Sequence, residues 1–234
     1  MLSLGFTLAF RFTLAALLCT FVSSASAQEA AKEIFNGKDL TGWKGNPELW
    51  SVQDGCITGT TTAEKKLTFN TFLVWEGEVS NFELEFDYKL GSEGNSGAQY
   101  RSKLIDAKDF IVGGYQADID ASLQYAGINY EEKGRGILAQ RGQRVTIDKA
   151  GEKKVEQYGD TKELGKSIKA GEWNRYKVVA VGNKLSHMIN GQLMSEVIDD
   201  QEGKAAAAGV LAFQIHVGPP MKIQFKNIKL TDVK

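Results

Sequence analysis

An all-β sandwich of two antiparallel sheets is the fold class this sequence predicts, and three observations predict it. Apolar residues recur in short runs with a two-residue period. Glycines and turn residues punctuate those runs. Long helical periods never interleave with them.

The first segment stands outside that fold. Arg11 is followed by an apolar run over 12–22 and then by Ala25-Ser26-Ala27, a small-x-small triplet. A positive start, an apolar core too short for a comfortable bilayer span and a cleavage triplet read as an export signal over residues 1–27. The mature domain is then 28–234, one unit, with a periplasmic or extracellular destination. Leu18 precedes Cys19 where lipidation signals need a small residue, so a lipoprotein is not expected.

Without Arg11, the one charged residue of 1–27, 27 basic residues face 29 acidic ones. That near-balance gives no footprint for nucleic acid, nor for an anionic membrane surface once the signal is removed. Cys56 is the only cysteine of 28–234, so an intrachain disulfide is excluded and a packed core must carry stability.

Strands are predicted over 50–57, 71–75, 82–90, 97–101, 114–120, 144–147, 173–181, 184–189, 192–197, 209–217 and 222–233. Two hairpins are legible between them, at Gly182-Asn183 and at Asn190-Gly191, the second pair suited to the positive φ values of a tight primed turn. Residues 148–170 break the pattern with many Lys and Glu. There Asp160 and Glu163 fit a capping box, and Leu164 and Ile168 form a minimal apolar stripe, so one short surface helix is predicted.

Alternation then sorts side chains onto faces. Phe82-Glu83-Leu84-Glu85-Phe86-Asp87-Tyr88 sends Glu83, Glu85 and Asp87 one way and the apolar residues the other. Gln99 and Arg101 fall together opposite Ala98 and Tyr100. Gln116, Asp118 and Asp120 fall together opposite Tyr115, Ala117 and Ile119. In 213–217, Phe213, Ile215 and Val217 face one way, which puts Gln214 and His216 in mid-strand on the other before Gly218-Pro219-Pro220 ends the run.

Four strands thus offer carboxylates, amides, a guanidinium and an imidazole to polar faces. Such a face suits a polyhydroxylated ligand, because each sugar hydroxyl both donates and accepts. Solvated surface is the plainer reading for Glu83, Glu85 and Asp87 taken alone. For Arg101, Asp118 and His216 together, convergence in one concavity is the expectation. His187, three residues before Asn190-Gly191, reads as a tolerated hairpin-tip residue, and Trp43, Trp50, Trp75 and Trp173 read as packing. Two scattered histidines and one cysteine match no zinc pattern. No metal or cofactor is therefore expected, with a loop-held calcium left open.

Several motifs resemble the 3-keto-disaccharide hydrolase domain family, also described as 3-keto-glucoside 1,2-lyase/3-keto-2-hydroxy-glucal hydratase. The likeness starts at Phe35-Asn36-Gly37-Lys38-Asp39-Leu40-Thr41-Gly42-Trp43 and continues through Gly94-Asn95-Ser96-Gly97 to Arg101. It goes on through Gly114-Tyr115-Gln116-Ala117-Asp118-Ile119, Gly171-Glu172-Trp173-Asn174 and Ile189-Asn190-Gly191-Gln192 to the block 216–228. Where members often carry Tyr-Glu-x-Gln, this chain has Tyr115-Gln116-Ala117-Asp118, so acid and amide have exchanged places on one strand face.

The resemblance implies a concanavalin A-like jelly roll and a substrate already oxidised at carbon 3, a 3-keto-disaccharide or 3-keto-glucoside. A ketone there acidifies the carbon 2 proton, so a base can remove it and the enolate can expel the group at carbon 1. Water then adds to the unsaturated ketone, and the net result is hydrolysis. We expect His216 or Asp118 to be the base and the other the acid toward the leaving oxygen. Arg101, Gln99, Gln116 and Gln214 are expected to hold the ketone or neighbouring hydroxyls, with Asn95 and Glu93 at the rim. A sugar 3-dehydrogenase is the functional partner this chemistry implies.

Two other readings stay open at this point. Same-face acids on a strand lie roughly 6.6 Å apart, near the separation of a retaining glycosidase pair, which Glu83, Glu85 and Asp87 could supply on unoxidised glucan. A noncatalytic carbohydrate-binding sandwich needs the polar face and no base.

Overall fold

A computed structural model describes Met1 and residues 30–234; Met1 aside, the expected export segment, including Cys19, lies outside the described residues. The chain forms β1 (Lys32–Glu33), β2 (Trp43–Lys44), β3 (Trp50–Gln53), β4 (Cys56–Thr60), β5 (Thr71–Val79), β6 (Phe82–Leu90), β7 (Asn95–Asp106), β8 (Ile111–Asp120) and β9 (Asn129–Glu132). There follow β10 (Gly136–Ala139), β11 (Gln143–Ile147), β12 (Lys153–Gln157), α1 (Thr161–Gly165), β13 (Asn174–Val181), β14 (Lys184–Ile189), β15 (Gln192–Asp199), β16 (Gly209–Ile215) and β17 (Lys222–Asp232).

These strands build two sheets, a jelly-roll sandwich as expected. The larger runs β12-β11-β15-β14-β13-β6-β17-β4-β3, with β1 added on β17; the smaller runs β10-β9-β8-β7-β16-β5-β2. Every pairing is antiparallel except β11 with β15. The core lies between the sheets, where Phe213 of β16 stacks on Phe225 of β17 with centroids 3.9 Å apart and Phe86 of β6 meets both rings edge-on. Each such fully buried side chain stabilises the fold by about 1.5–3 kcal/mol relative to exposure, so these rings bind one sheet to the other.

Local signals held where the physics is local. Val181 pairs with Lys184 and Ile189 with Gln192, each across a two-residue turn, and Asn190 and Gly191 have φ of 51° and 80°. Asp160 caps α1 by accepting from the backbone N–H of Lys162 and Glu163, both at 2.9 Å. Glu163 does not reach back as a full capping box requires; it pairs with Lys166. Ile168 is buried and Leu164 packs on the core.

Five strands escaped the periodicity, β1 and β2 among them with two residues each, and the run expected over 50–57 turns at Asp54-Gly55 into the antiparallel pair β3 and β4. β9 and β10 hold four residues each, and β12, at the sheet edge, is exposed throughout, so Lys153-Lys154-Val155-Glu156-Gln157 has no apolar alternation to show. Two further expectations are corrected. The acids of β6 do not share a sheet with Asp118: β6 sits in the larger sheet between β13 and β17. His216 is not mid-strand, because β16 stops at Ile215, its last residue paired with β5.

Candidate active site

The face of the smaller sheet turned away from the core carries a cavity of about 310 Å³, lined by Asn70, Asn95, Gln116, Asp118, Tyr125, Ile128, Tyr130, Glu132, Ile137 and His216. Alternation places them. Tyr115, Ala117 and Ile119 of β8 enter the core, which turns Gln116 and Asp118 outward. β9 pairs with β8 so that Tyr130 lies opposite Gln116 and Glu132 opposite Gly114. The backbone N–H of His216, just past β16, donates to Asn95 O of β7 at 3.3 Å, which seats the imidazole at the cavity.

Asp118 is the most perturbed carboxyl of this face. Only 5% exposed, its pKa is raised to about 8, chiefly because burial removes water from the charged form. Hydrogen bonds from Asn95 and Gln116 oppose the rise, while the charges of Asp120 and Glu132 add to it. Asn95 Nδ2 donates to Oδ1 at 2.7 Å and Gln116 Nε2 to Oδ2 at 3.3 Å. A carboxyl so placed exchanges protons near neutral pH and is a stronger base than an ordinary carboxylate when ionised.

An amide chain connects it to a second carboxyl. Gln116 Nε2 also lies 3.4 Å from Gln214 Oε1, and Gln214 Nε2 lies 3.5 Å from Glu132 Oε2. Asn70 Nδ2 donates to Glu132 Oε1 at 3.2 Å, and the Gln99 amide abuts that of Gln116 at 2.7 Å. Burial, with the Glu132 and Asp118 charges, raises the Tyr130 hydroxyl above its usual range.

Six of the eight sequence-derived candidates therefore lie at the cavity or directly behind it. His216, Asp118, Asn95 and Gln116 line it, and Gln214 joins them through Gln116. Gln99 is fully buried beneath Gln116 and supports that amide without lining the cavity. Glu93 is exposed in the turn before β7 and lies outside the lining.

Arg101 is the correction. Strict alternation put it beside Gln99, but β7 shifts register between Tyr100 and Lys103, and Arg101 adopts a left-handed φ of 47°. The bulge sends its guanidinium elsewhere. It donates to Ser80 O (2.6 Å), Gly182 O (2.7 Å), Ala206 O (3.4 Å) and Asn81 Oδ1 (3.1 Å), a buried clamp on three loops. The imidazole and the acid meet; the guanidinium does not.

The remaining candidates are structural. Glu83 and Glu85 pair with Lys177, and Asp87 with Arg175, on the outer face of the larger sheet. His187 is no hairpin-tip residue: it is 0% exposed between the sheets, with Nδ1 3.1 Å from Ile128 O and Nε2 2.8 Å from the Tyr100 hydroxyl. Burial lowers its pKa to about 4, so it is held neutral, donating from Nδ1 and accepting at Nε2. Trp43 and Trp50 are buried, and Trp173 lies under the Lys226 ammonium at 4.0 Å.

Sequence reasoning missed Asn70, Tyr125, Tyr130 and Glu132. The signal for the last two was the alternation of Tyr130 and Glu132 in a run too short to stand out, next to Glu131, which turns the other way to bind Arg135. Among the described residues, no group of three or more His, Cys, Asp or Glu is arranged to hold a metal ion.

Comparison with known proteins gives the fold and site a context. The sequence profile of the 3-keto-alpha-glucoside-1,2-lyase-like domain matches residues 30–231. A 3-keto-disaccharide hydrolase of Bacteroides thetaiotaomicron is 35% identical over 83 residues, 32% of this chain and 29% of that protein, so the shared stretch spans under a third of the relative's length. A crystal structure from Parabacteroides distasonis ATCC 8503, provisionally described as a glycosyl hydrolase, is similar with a TM-score of 0.56 at 25% identity, over 87% of this chain and 94% of that one. The carbohydrate-binding module CBM66 of Bacillus subtilis shares the fold with a TM-score of 0.55 at 15% identity, over 82% of this chain and 96% of the module. A profile match running from residue 30 to residue 231, over the same strands that build the cavity, makes this chain a member of the 3-keto-alpha-glucoside-1,2-lyase-like domain family.

Proposed function

We propose that the chain cleaves 3-keto-glycosides, 3-keto-disaccharides or 3-keto-glucosides, by removing the carbon 2 proton, expelling the carbon 1 substituent and hydrating the enone. The observation that carries this reading is Asp118: a buried carboxyl poised near neutral pH, held by two amides in a cavity it shares with an imidazole. Ionised Asp118 takes the carbon 2 proton, and His216 delivers a proton to the departing oxygen. The amides of Asn95, Gln116 and Gln214 present donors and acceptors to sugar hydroxyls and to the enolate oxygen.

No step of this reaction calls for a metal or an organic cofactor. The substrate must come from an enzyme that oxidises a sugar at carbon 3, so a sugar 3-dehydrogenase acts upstream. Export through residues 1–27 would put the reaction in the periplasm or outside the cell.

Incubating residues 28–234 with a 3-keto-glucoside and with its unoxidised parent, with products followed by mass spectrometry, tests the proposal. Release of the aglycone from the keto substrate alone is the expected result. Turnover of the unoxidised glycoside would indicate an ordinary glycosidase, and binding without turnover a carbohydrate-binding module.

A further inference from the structure

Elimination and hydration make different demands on one cavity, since the first needs a base for a carbon acid and the second a base for water. Asp118 answers the first. The cavity holds another carboxyl that the reading above leaves without work, Glu132 of β9.

Its setting differs from that of Asp118. Glu132 is 7% exposed, and its two oxygens each accept from an amide, Oε1 from Asn70 and Oε2 from Gln214. Asn70 is anchored in turn, its Oδ1 accepting from Val217 N–H at 2.9 Å, next to His216. No cation pairs with Glu132 within the described residues. The chain Asp118–Gln116–Gln214–Glu132 holds the carboxyls in a set relation within one concavity. Opposite Glu132 in the β8–β9 register stands Gly114, against which Ser102 of β7 packs.

We infer that Glu132 is the base of the hydration half-reaction, activating the water that adds to carbon 1 of the enone. The inference rests on the proposed 3-keto-glycoside chemistry.

The steps balance as follows. In elimination, ionised Asp118 takes the carbon 2 proton, the carbon 1–oxygen bond breaks, and His216 gives a proton to the leaving oxygen. In hydration, Glu132 takes a proton from water as its oxygen bonds to carbon 1. The π electrons pass to the enolate of the 3-ketone, and carbon 2 recovers its proton from Asp118. Glu132 then returns its proton through solvent to His216, and the sum is glycoside plus water giving free 3-keto-sugar and alcohol.

The test separates the two half-reactions. Wild-type, E132Q and D118N proteins are given a chromogenic 3-keto-glucoside, which reports aglycone release, while the enone and the 3-keto-sugar are quantified by mass spectrometry. A general base contributes roughly 10²–10⁴-fold. E132Q is therefore expected to slow hydration at least about 100-fold more than it slows aglycone release, so that enone accumulates. D118N should lose both half-reactions.

Equal losses of release and hydration in E132Q, with an unchanged melting temperature, would overturn the assignment, as would unimpaired hydration. If E132Q lowers the melting temperature, E132D serves as the second variant, and the ratio of enone to sugar remains the readout, which a fold defect alone leaves unchanged. A wild-type protein that does not release aglycone from the keto substrate would overturn the proposed function itself, and the role of Glu132 with it.

Discussion

Gly97 of β7 lies against the side chain of Gln116 on β8: a methyl group at Gly97 would stand 2.6 Å from both Gln116 Cγ and Cδ. Gln116 is the amide that donates to Asp118, so the absence of a side chain at 97 is part of how the acid is held. G97A is expected to displace Gln116, to cost about 1–3 kcal/mol through overpacking, and to lower kcat/KM on a 3-keto-glucoside at least about tenfold. Thermal unfolding and steady-state kinetics read the two effects; a variant with full activity would show that the Gln116 position is immaterial.

Asp118 makes both rate and stability depend on pH. Its folded pKa of about 8 exceeds the ordinary 3.8, so the folded state binds the extra proton between those values. The resulting stabilisation is complete below about pH 4 and is lost as pH rises through about 8. At 1.36 kcal/mol per unit, the span corresponds to about 6 kcal/mol. In urea unfolding across pH 4–9, D118N is expected to lose most of this slope and to be the more stable protein at pH 9. For activity, a base must be ionised, so kcat/KM should rise with pH through about 8. A fall over the same range would assign Asp118 the acid's role instead.

His187 acts in the opposite direction. Its folded pKa of about 4 lies below the ordinary 6.5, so the unfolded chain binds the proton first. Stability is present above about pH 6.5 and is lost as pH falls toward 4, by about 3 kcal/mol. H187Q is expected to flatten this acid limb while costing stability at pH 7 through the weakened link to Tyr100 and Ile128. Unfolding curves at pH 7 and 4.5 measure both, and an undiminished acid loss in H187Q would place its origin elsewhere.

Arg101 should behave as a clamp and not as a ligand for substrate. R101M removes the charged donor that ties Ser80 O, Gly182 O and Ala206 O together, and a hydrogen bond to a charged group contributes about 1.5–3 kcal/mol. We expect a melting temperature several degrees lower, with KM of the folded fraction within about twofold of wild type. A large KM increase at unchanged stability would return Arg101 to the binding site.

Glu83, Glu85 and Asp87 are expected to be dispensable for turnover. Exposed ion pairs contribute about 0–1 kcal/mol, and these lie on the far side of the molecule from the cavity. E85Q and D87N should each change kcat/KM by less than about twofold. Loss of activity in either would revive the retaining-glycosidase arrangement.

Much of this site could be read in the sequence because alternation is a local property. In 115–120 the aromatic and aliphatic residues mark the core side, and Gln116 and Asp118 are thereby turned outward together. Arg101 failed the same rule because a left-handed residue inside β7 reverses the face, and nothing in Tyr100-Arg101-Ser102 announces it. Glu132 was hidden because four residues carry too few alternations to rise above chance.

The strand-rich class, the two tight hairpins, the capped helix and the direction in which each residue of a regular strand points are written in the local pattern of residues. Those follow from backbone geometry and from apolar side chains leaving water, both decided within a few residues. Long-range packing put β6 in the sheet opposite β8, let a bulge carry Arg101 away and brought Glu132 to Asp118 through Gln116 and Gln214. Strand order and register arise from pairings between distant segments, whose energies depend on the whole core and leave no local mark.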